Sequence, residues 1–227
     1  MMISPEGYYE MHLRGEGPNK ITSVIRGLKR EISRLKNKIE RRDYACMLMP
    51  SESTQLWCTR LYLAKAKEAL VKVGGSYTPS RAERRAEKFD SSIPYISRIE
   101  LFIGNARDGY ETRVIKIDGD KIRMDAKRLG VFEGKSYTDL VIDEMDKESL
   151  LTEIAELHIG EWRRRYDPRR FGYTVLDGTH WHLYVDYSDG RKSLKIEGSN
   201  DYPWCFEELK ELFYTDELGE IGEYEQK

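Results

Sequence analysis

The stretch Asn19–Arg42, NKITSVIRGLKREISRLKNKIERR, contains the clearest periodic pattern in the chain. Its apolar residues are spaced alternately four and three positions apart, at Ile21, Ile25, Leu28, Ile32, Leu35 and Ile39. This is the heptad spacing of a helix that buries one apolar seam against another helix. Asn19, directly after Pro18, is the predicted N-cap. The pattern therefore predicts a long amphipathic helix that requires a helical partner.

A second helix is predicted to begin just after Pro50. Ser51 is its predicted N-cap, and Glu52 places an acidic residue in the first turn, where the helix dipole favours it. Its apolar residues are Leu56, Leu63 and Leu70, with Trp57, Leu61, Ala64 and Val71 beside them. Gly74-Gly75 predicts its end, because glycine suits the left-handed position after a helix. Two such helices in succession are expected to form an antiparallel hairpin.

Beyond a third predicted helix, Ser80–Phe89, the apolar spacing changes from helical to alternating. Ser80 and Glu83 have the spacing of a capping box. Strands are predicted at Ser97–Ile103, Glu111–Ile117, Lys121–Ala126, Tyr137–Ile142, Tyr173–Leu176, Trp181–Tyr187 and Ser193–Ile196. Asp118-Gly119 and Ser188–Gly190 each predict a hairpin turn. Helices are predicted at Glu148–Trp162 and Trp204–Phe213.

The sequence thus predicts an α+β protein, with an N-terminal antiparallel helical hairpin followed by an antiparallel β-sheet part and two further helices. Residues 1–90 are the predicted basic helical domain, with 18 Lys and Arg against 11 Asp and Glu. Residues 91–227 are the predicted acidic β-rich domain, with 20 against 29. This division favours an anionic partner for the first domain, although the two halves could instead attract each other.

Several classes of protein are disfavoured by the composition. No apolar run reaches the length of about 18 residues that a membrane span needs, and residues 1–15 lack the features of a signal peptide. The cysteines Cys46, Cys58 and Cys205 are odd in number and widely spaced, which predicts a reducing, cytoplasmic location. No familiar catalytic signature is present, so no cofactor is predicted, although an active site without a motif stays open.

One segment resembles a phosphate-binding loop. Gly130–Ser136, GVFEGKS, has three residues between its glycines where a P-loop has four, and the residues that follow have the pattern of a strand where a P-loop has a helix. An ordinary turn is the favoured interpretation.

A pair of histidines is a second candidate for chemistry. His180 and His182 lie on one face of a predicted strand and could supply two metal ligands. A zinc site needs further ligands, such as Cys205 or an aspartate. The alternative is a polar sheet face, with Trp181 on the core side.

Three groups of cations are the candidate binding residues. They are Arg26, Arg30, Arg34, Lys38 and Arg41 on the first long helix, then Arg81, Arg84 and Arg85, then Arg163, Arg164 and Arg165. Such clusters can bind phosphates or an acidic protein surface. The alternative is the solvated flank of a coiled-coil helix. The sequence pI of about 6.2 disfavours a general nucleic-acid binder but allows a local basic patch.

Short segments at both ends of the chain carry a resemblance to known sequences. ISPEGYYEM at Ile3–Met11, IRGLK at Ile25–Lys29 and PSEST at Pro50–Thr54 resemble an uncharacterised family carried on mobile genetic elements of gut bacteria. LDGTHW at Leu176–Trp181 and GSNDYP at Gly198–Pro203 are similar to a small β-rich module of such bacteria. In that module glutamine is common where His180 stands, which weakens the metal interpretation. Residues 75–173 are unmatched.

The resemblance implies a role for the protein but names no chemistry. Small proteins of such elements often act against host defence, including as anti-CRISPR inhibitors that dock on a nuclease complex. The first hypothesis is therefore a non-enzymatic protein that binds and inhibits a nucleic-acid-handling complex such as a CRISPR nuclease ribonucleoprotein. Its partner would be a protein, with nucleic acid contacted through the basic helix and no membrane involved. The alternatives are an enzyme of unrecognised type near His180 and His182, or a structural protein that forms a homodimer through the heptad seam.

Overall fold

The computed structural model describes residues 3–41, 50–129, 137–141 and 146–213, the backbone alone being described for 137–141. The chain divides into two compact units, Met1–Pro79 and Ser80–Lys227. The first is helical and the second contains a mainly antiparallel sheet, so the predicted α+β fold is confirmed. The division falls before the helix Arg81–Asp90, which the sequence analysis places in the first domain.

The first unit contains the helices α1 (Pro5–His12), α2 (Pro18–Glu40) and α3 (Glu52–Lys72). The prediction of Asn19 as the N-cap of α2 is wrong. Gly17 is the N-cap and Pro18 is the first helical residue. Proline suits the first helical position because its φ is already fixed near the helical value and because an N–H at that position would have no partner in the helix. Helix α1 has no counterpart in the predicted elements.

Helices α2 and α3 form the predicted antiparallel hairpin. Their buried residues include Ile21, Ile25 and Leu28 of α2 and Ala66, Ala69 and Leu70 of α3. Near one end of the hairpin Lys38 forms an ion pair with Glu52, and toward the other end Lys29 Nζ donates to the Tyr77 hydroxyl at 3.1 Å. Four of the six seam residues of α2, namely Ile21, Ile25, Leu28 and Leu35, are buried within the chain, so most of the surface on which the homodimer hypothesis depends is not exposed.

The ends of α3 follow the predicted signals. Ser51 caps it by accepting a hydrogen bond from Thr54 N–H. Gly74 has a left-handed φ of 74°, and Gly75 N–H donates to Leu70 O at 2.9 Å, which satisfies a carbonyl at the helix end. A side of α3 adjacent to the α2 contact supports α1, where the Tyr8 and Tyr62 rings stack with centroids 4.2 Å apart.

The second unit begins with α4 (Arg81–Asp90), which has the predicted capping box of Ser80 and Glu83. Its strands are β1 (Ile96–Asn105), β2 (Gly109–Asp118), β3 (Lys121–Leu129), β4 (Tyr137–Val141), β5 (Arg165–Tyr166), β6 (His180–Tyr187) and β7 (Leu194–Ser199). Its other α-helices are α5 (Lys147–Glu156) and α6 (Phe206–Glu211). The sheet order is β4-β3-β2-β1-β6-β7-β5, antiparallel except for the β5–β7 pair. Strand β1 pairs with both β2 and β6, so the two predicted hairpins form one sheet.

One face of the sheet contributes to the core of the second unit. The buried residues of this core include Ile99, Leu101, Ile115, Met124, Leu183 and Ile196 from the strands, and Leu150, Ile154, Phe206 and Leu209 from α5 and α6. Helix α4 packs against the short turn Ile159–Glu161. A Cβ on Gly160 would lie 2.7 Å from Ala86 Cα, so only glycine permits this approach. This packing is why α4 belongs to the sheet unit.

Two predicted elements differ from the structure. The helix predicted over Glu148–Trp162 ends at Glu156, and His158 adopts a left-handed φ of 48°. The strand predicted at Tyr173–Leu176 is wrong, since that segment is irregular and Leu176 is 95% exposed. It cannot pair with β6 or β7, because β6 pairs with β1 and β7, and β7 pairs with β6 and β5.

Two remaining predictions concern the loop and the membrane. Gly130–Ser136 lies outside the described residues, whereas the strand predicted after it is present as β4. Among the helices that the structure describes, none is both long and apolar enough to cross a bilayer.

Candidate functional site

Three arginines of α2 lie on the side of the helix opposite its apolar seam. Arg26, Arg30 and Arg34 follow each other at steps of four residues, so they project from adjacent turns of one face. Arg26 and Arg30 are exposed, and neither forms an ion pair with a residue that the structure describes. Arg34 donates from Nη2 to Glu31 Oε1 at 2.6 Å and from Nε to Oε2 at 2.8 Å. This hydrogen bonding raises the pKa of Arg34.

The remaining predicted cations of α2 have different environments. Lys38 is held by Glu52 of α3, and this contact contributes to the hairpin. Arg41, just after the helix, is exposed and also interacts with another group of the protein. The cationic face of α2 is therefore centred on Arg26 and Arg30, with Arg34 already partly neutralised by Glu31.

The second and third predicted cation clusters come together in the sheet unit. Arg85 donates from Nε to Gly160 O and from Nη2 to Trp162 O, both at 3.2 Å, so its guanidinium holds the chain just before Arg163. Partial burial and the nearby charge of Arg85 lower the pKa of Arg164. A lowered arginine pKa indicates an environment that disfavours positive charge.

The arginines of these two clusters are at the surface. Arg85 and Arg164 are exposed, as are Arg81, Arg84, Arg163 and Arg165. The side chain of Arg165 lies 4.0 Å from Asp167, an ion pair at the limit of contact. Arg85 thus links the two clusters through its hydrogen bonds to Gly160 O and Trp162 O, and all six arginines present charge at the surface.

The two candidate metal ligands are on the outward face of β6. Trp181, Leu183 and Val185 are buried on the opposite face, as the polar-sheet interpretation predicts. His182 stacks on Phe102 with centroids 4.6 Å apart and planes 3° apart, and its Nε2 is 3.5 Å from Glu100 Oε1. Burial lowers the pKa of His182, although Glu100 opposes that shift.

The described residues do not bring further ligands to these histidines. No group of three His, Cys, Asp or Glu side chains within the described ranges is arranged to hold a metal ion. Cys205 lies in the core instead, with its Sγ–H donating to Leu157 O at 3.1 Å. The proposed pairing of Cys205 with His180 and His182 is therefore not formed.

A cleft of about 490 Å³ opens beside these histidines, between β6, β7 and the segment after β5. Its polar lining includes Arg165, Arg169, His180, His182, Glu197 and Ser199. Asp167 binds Arg169 at 2.6 Å, and this hydrogen bonding lowers the pKa of Asp167 to about 2. Glu197 likewise binds Lys195 at 2.9 Å. The cleft thus presents hydrogen-bonding groups of both charges, with these carboxylates already engaged by cations.

The two segments that resemble a β-rich module form one loop cluster. Asn200 Oδ1 accepts from Thr179 N–H at 2.9 Å, and Asn200 N–H donates to Thr179 O at 2.9 Å. Trp181 lies across Gly198 in the β6–β7 ladder, and its indole N–H donates to Asp201 O at 2.9 Å. The distinctive residues of both segments therefore stabilise the loops at this end of the sheet.

Sequence reasoning missed two features of the surface. The first is the ion pair of Arg170 with Asp201, which no local pattern could reveal because the residues are distant in sequence. The second is the exposure of Trp57 and Val71 on α3, which flank its predicted apolar residues Leu56, Leu63 and Leu70. The signal was present here, since the apolar residues of α3 extend around more of the helix than one partner can cover.

Within the described residues, these features define an α+β protein with a helical hairpin unit and a unit built on a seven-stranded sheet. No family model, curated protein or solved structure matches the chain. The resemblance to a mobile-element family stays a prediction.

Proposed function

We propose that this protein is a non-enzymatic interaction protein that binds a nucleic-acid-handling complex. It would contact the phosphate backbone of the nucleic acid in that complex. The observation that carries the proposal is the position of Arg26 and Arg30. They are exposed on adjacent turns of α2, and no carboxylate among the described residues pairs with either. Guanidinium groups bind phosphate oxygens through two parallel hydrogen bonds, which makes arginine well suited to this contact.

The rigid setting of these arginines supports the proposal. Helix α2 is anchored along its seam by Ile21, Ile25 and Leu28, so the backbone beneath the arginines is fixed. One helical turn separates Arg26 from Arg30, about 6 Å along the axis, and neighbouring phosphates of a nucleic-acid strand have a comparable spacing. A fixed cation pair loses less conformational entropy on binding than a flexible tail.

A CRISPR nuclease with its guide RNA is the partner class that the sequence resemblance implies, and inhibition by docking is the corresponding activity. The proposal is tested with Arg26→Glu/Arg30→Glu in the full chain. Binding to a guide-loaded CRISPR nuclease is measured by co-elution and by fluorescence anisotropy over a salt series. We expect affinity to fall by roughly tenfold or more, and the salt dependence to weaken by about two units of log–log slope.

The matched control is Lys20→Glu/Lys121→Glu, which makes the same change in net charge at two exposed lysines elsewhere on the protein. It should retain most of the affinity, because general electrostatic attraction contributes less than a positioned contact. If both double variants bind equally well, or the parent protein does not bind the complex, the proposed function is wrong.

A further inference from the structure

Helix α3 carries apolar residues on two sides, and the residues that the structure describes cover only one of them. Ala66 and Leu70 are buried in the cluster shared with α2. The second set lies on the opposite side at heptad-like spacing, and consists of Trp57, Leu61, Ala64 and Val71. We call this set the outer stripe of α3. Trp57 is 62% exposed and Val71 is 65% exposed, so both ends of the stripe face solvent.

The composition of the outer stripe is that of an interaction surface. Single exposed apolar residues are common on proteins, but a row along one helix side indicates a partner. The row extends for four helical turns, about 21 Å, which is the length of a two-heptad helix contact. Trp57 adds a large exposed aromatic ring, the residue type most enriched among those that dominate binding energy.

Charged residues border the outer stripe on both sides. Helical spacing places Arg60 and Lys67 along one border and Lys65 and Lys72 along the other. Lys65 Nζ lies 3.4 Å from Glu6 and 3.8 Å from Glu68. Glu68 is the one acidic residue within the row, and the borders carry four cations.

The neighbouring rings hold two of the border lysines close to the helix. Lys67 Nζ lies 4.5 Å from the Tyr77 ring centroid, and Lys72 Nζ lies 5.9 Å from that of Tyr9. Both rings pack against the buried cluster of the helical unit, so these contacts draw the ammonium groups toward the covered sides of α3, from which their charge still reaches a helix docked on the stripe within the screening length of about 8 Å. They also reduce the side-chain entropy that docking would otherwise remove.

The sign of the borders disfavours self-association through this face. In a two-helix contact the border residues of one helix oppose those of the other. With two copies of α3, in either orientation, cations would therefore oppose cations. A partner helix with carboxylates at the corresponding positions would meet complementary charge on both sides.

We propose that the outer stripe of α3 is a docking site for an acidic amphipathic helix of a partner protein. The partner helix would place leucine-type residues over Trp57 and Val71, and Glu or Asp beside the border cations. This surface is separate from the one centred on Arg26 and Arg30, and the inference does not depend on the proposed function.

The test uses the full chain and three labelled peptides of about three heptads each. One has Leu at the seam positions and Glu at the flanking positions, the second has Lys in place of Glu, and the third has the acidic composition in scrambled order. Fluorescence anisotropy measures their binding. We expect the ordered acidic peptide to bind at least about tenfold more tightly than the other two, and to weaken with added salt.

The variant Trp57→Gln/Val71→Gln should weaken binding of the acidic peptide by about tenfold or more. Both side chains are exposed, so this variant should fold normally, as circular dichroism would verify. Leu176→Gln is the matched control, since it removes a more exposed apolar side chain in the other unit and should bind as the parent does. Equal binding of the acidic and basic peptides would overturn the inference, as would unchanged binding by Trp57→Gln/Val71→Gln. A dimer that this double variant dissociates would also overturn it, because the occupant would then be a second copy.

Discussion

Arg170 binds Asp201 through two hydrogen bonds, from Nε to Oδ2 at 2.6 Å and from Nη2 to Oδ1 at 2.8 Å. The side chain of Asp201 is 1% exposed and that of Arg170 is 19% exposed. The guanidinium also lies over Phe171, 4.1 Å from its ring centroid. Because Asp201 O accepts the Trp181 indole N–H, this pair connects the turn after β5, the loop after β7 and the core.

Removing the carboxylate should destabilise the sheet unit strongly. Asp201→Ala leaves the partly buried Arg170 without its partner, and breaking a buried pair in this way costs about 3–5 kcal/mol. Urea unfolding followed by tryptophan fluorescence measures the loss. Asp189→Ala is the control, because Asp189 also binds an arginine, Arg191, but at an exposed turn, where such a pair contributes about 0–1 kcal/mol. Similar losses in the two variants would contradict the structural role of Asp201.

A second prediction concerns Gly198, beneath the indole of Trp181. A Cβ at this position would lie 2.4 Å from Trp181 Nε1 and 2.7 Å from Asp201 O. Gly198→Ala should therefore displace the ring or the loop, at a cost of about 1–3 kcal/mol. The unfolding midpoint and near-UV circular dichroism should both change. A variant with the parent's stability and spectrum would show that this end of the sheet adapts freely.

The opposite effect is expected at Gly27 in the interior of α2. Nothing lies within 4 Å of a Cβ placed there, and glycine within a helix is less favourable than alanine by about 0.5–1 kcal/mol. Gly27→Ala should therefore raise the free energy of unfolding of the helical unit by about this amount, measured by thermal melts at 222 nm. A lower melting temperature would indicate that α2 must bend or approach another group at Gly27.

The environment of His182 predicts a dependence of stability on pH. Burial lowers its pKa below 6.5, against the opposing effect of Glu100. The unfolded chain therefore binds more protons than the folded chain once the pH falls below about 6.5, so stability is lost in that direction and retained above it. Between about pH 7.5 and pH 5.5, His182→Phe should lose less stability than the parent.

The exposed His180 provides the control for this pH effect. His180→Phe should show the same loss of stability with falling pH as the parent chain, measured by urea unfolding at both pH values. If His182→Phe and the parent lose equal stability, the pH dependence comes from other groups, and the effect of Glu100 on the charged imidazole then cancels that of burial.

Local sequence patterns were sufficient wherever one element carried its own signal. The heptad spacing of Ile21 to Leu35 predicted α2, Ser80 with Glu83 predicted the cap of α4, and Asp118-Gly119 predicted the β2–β3 hairpin. Each depends on residues within a few positions of one another, whose effect on the backbone is steric or a local hydrogen bond. The strand predicted at Tyr173–Leu176 was wrong because pairing depends on a vacant sheet edge, which a local pattern cannot reveal.

The candidate sites depended more on distant contacts. The sequence identified Arg26, Arg30 and Arg34 as one helix face, but not that Glu31 would engage Arg34 while Arg26 and Arg30 stayed exposed. It likewise identified the cations near Arg85 and Arg164 as separate clusters, and the packing of α4 on the turn at Gly160 brings them together. Distances between such side chains are set by tertiary packing, which helical or strand periodicity does not predict.

By itself, therefore, the sequence determined the class of fold, the helical hairpin and the positions of most strands along the chain, because hydrophobic periodicity and capping act over short distances along the chain. Only the tertiary structure decided that β1 joins both hairpins into one sheet, that Arg170 meets Asp201, and that one apolar side of α3 stays exposed between cationic borders. These outcomes depend on which surfaces are already covered when the chain is fully packed, and that is a property of the whole fold.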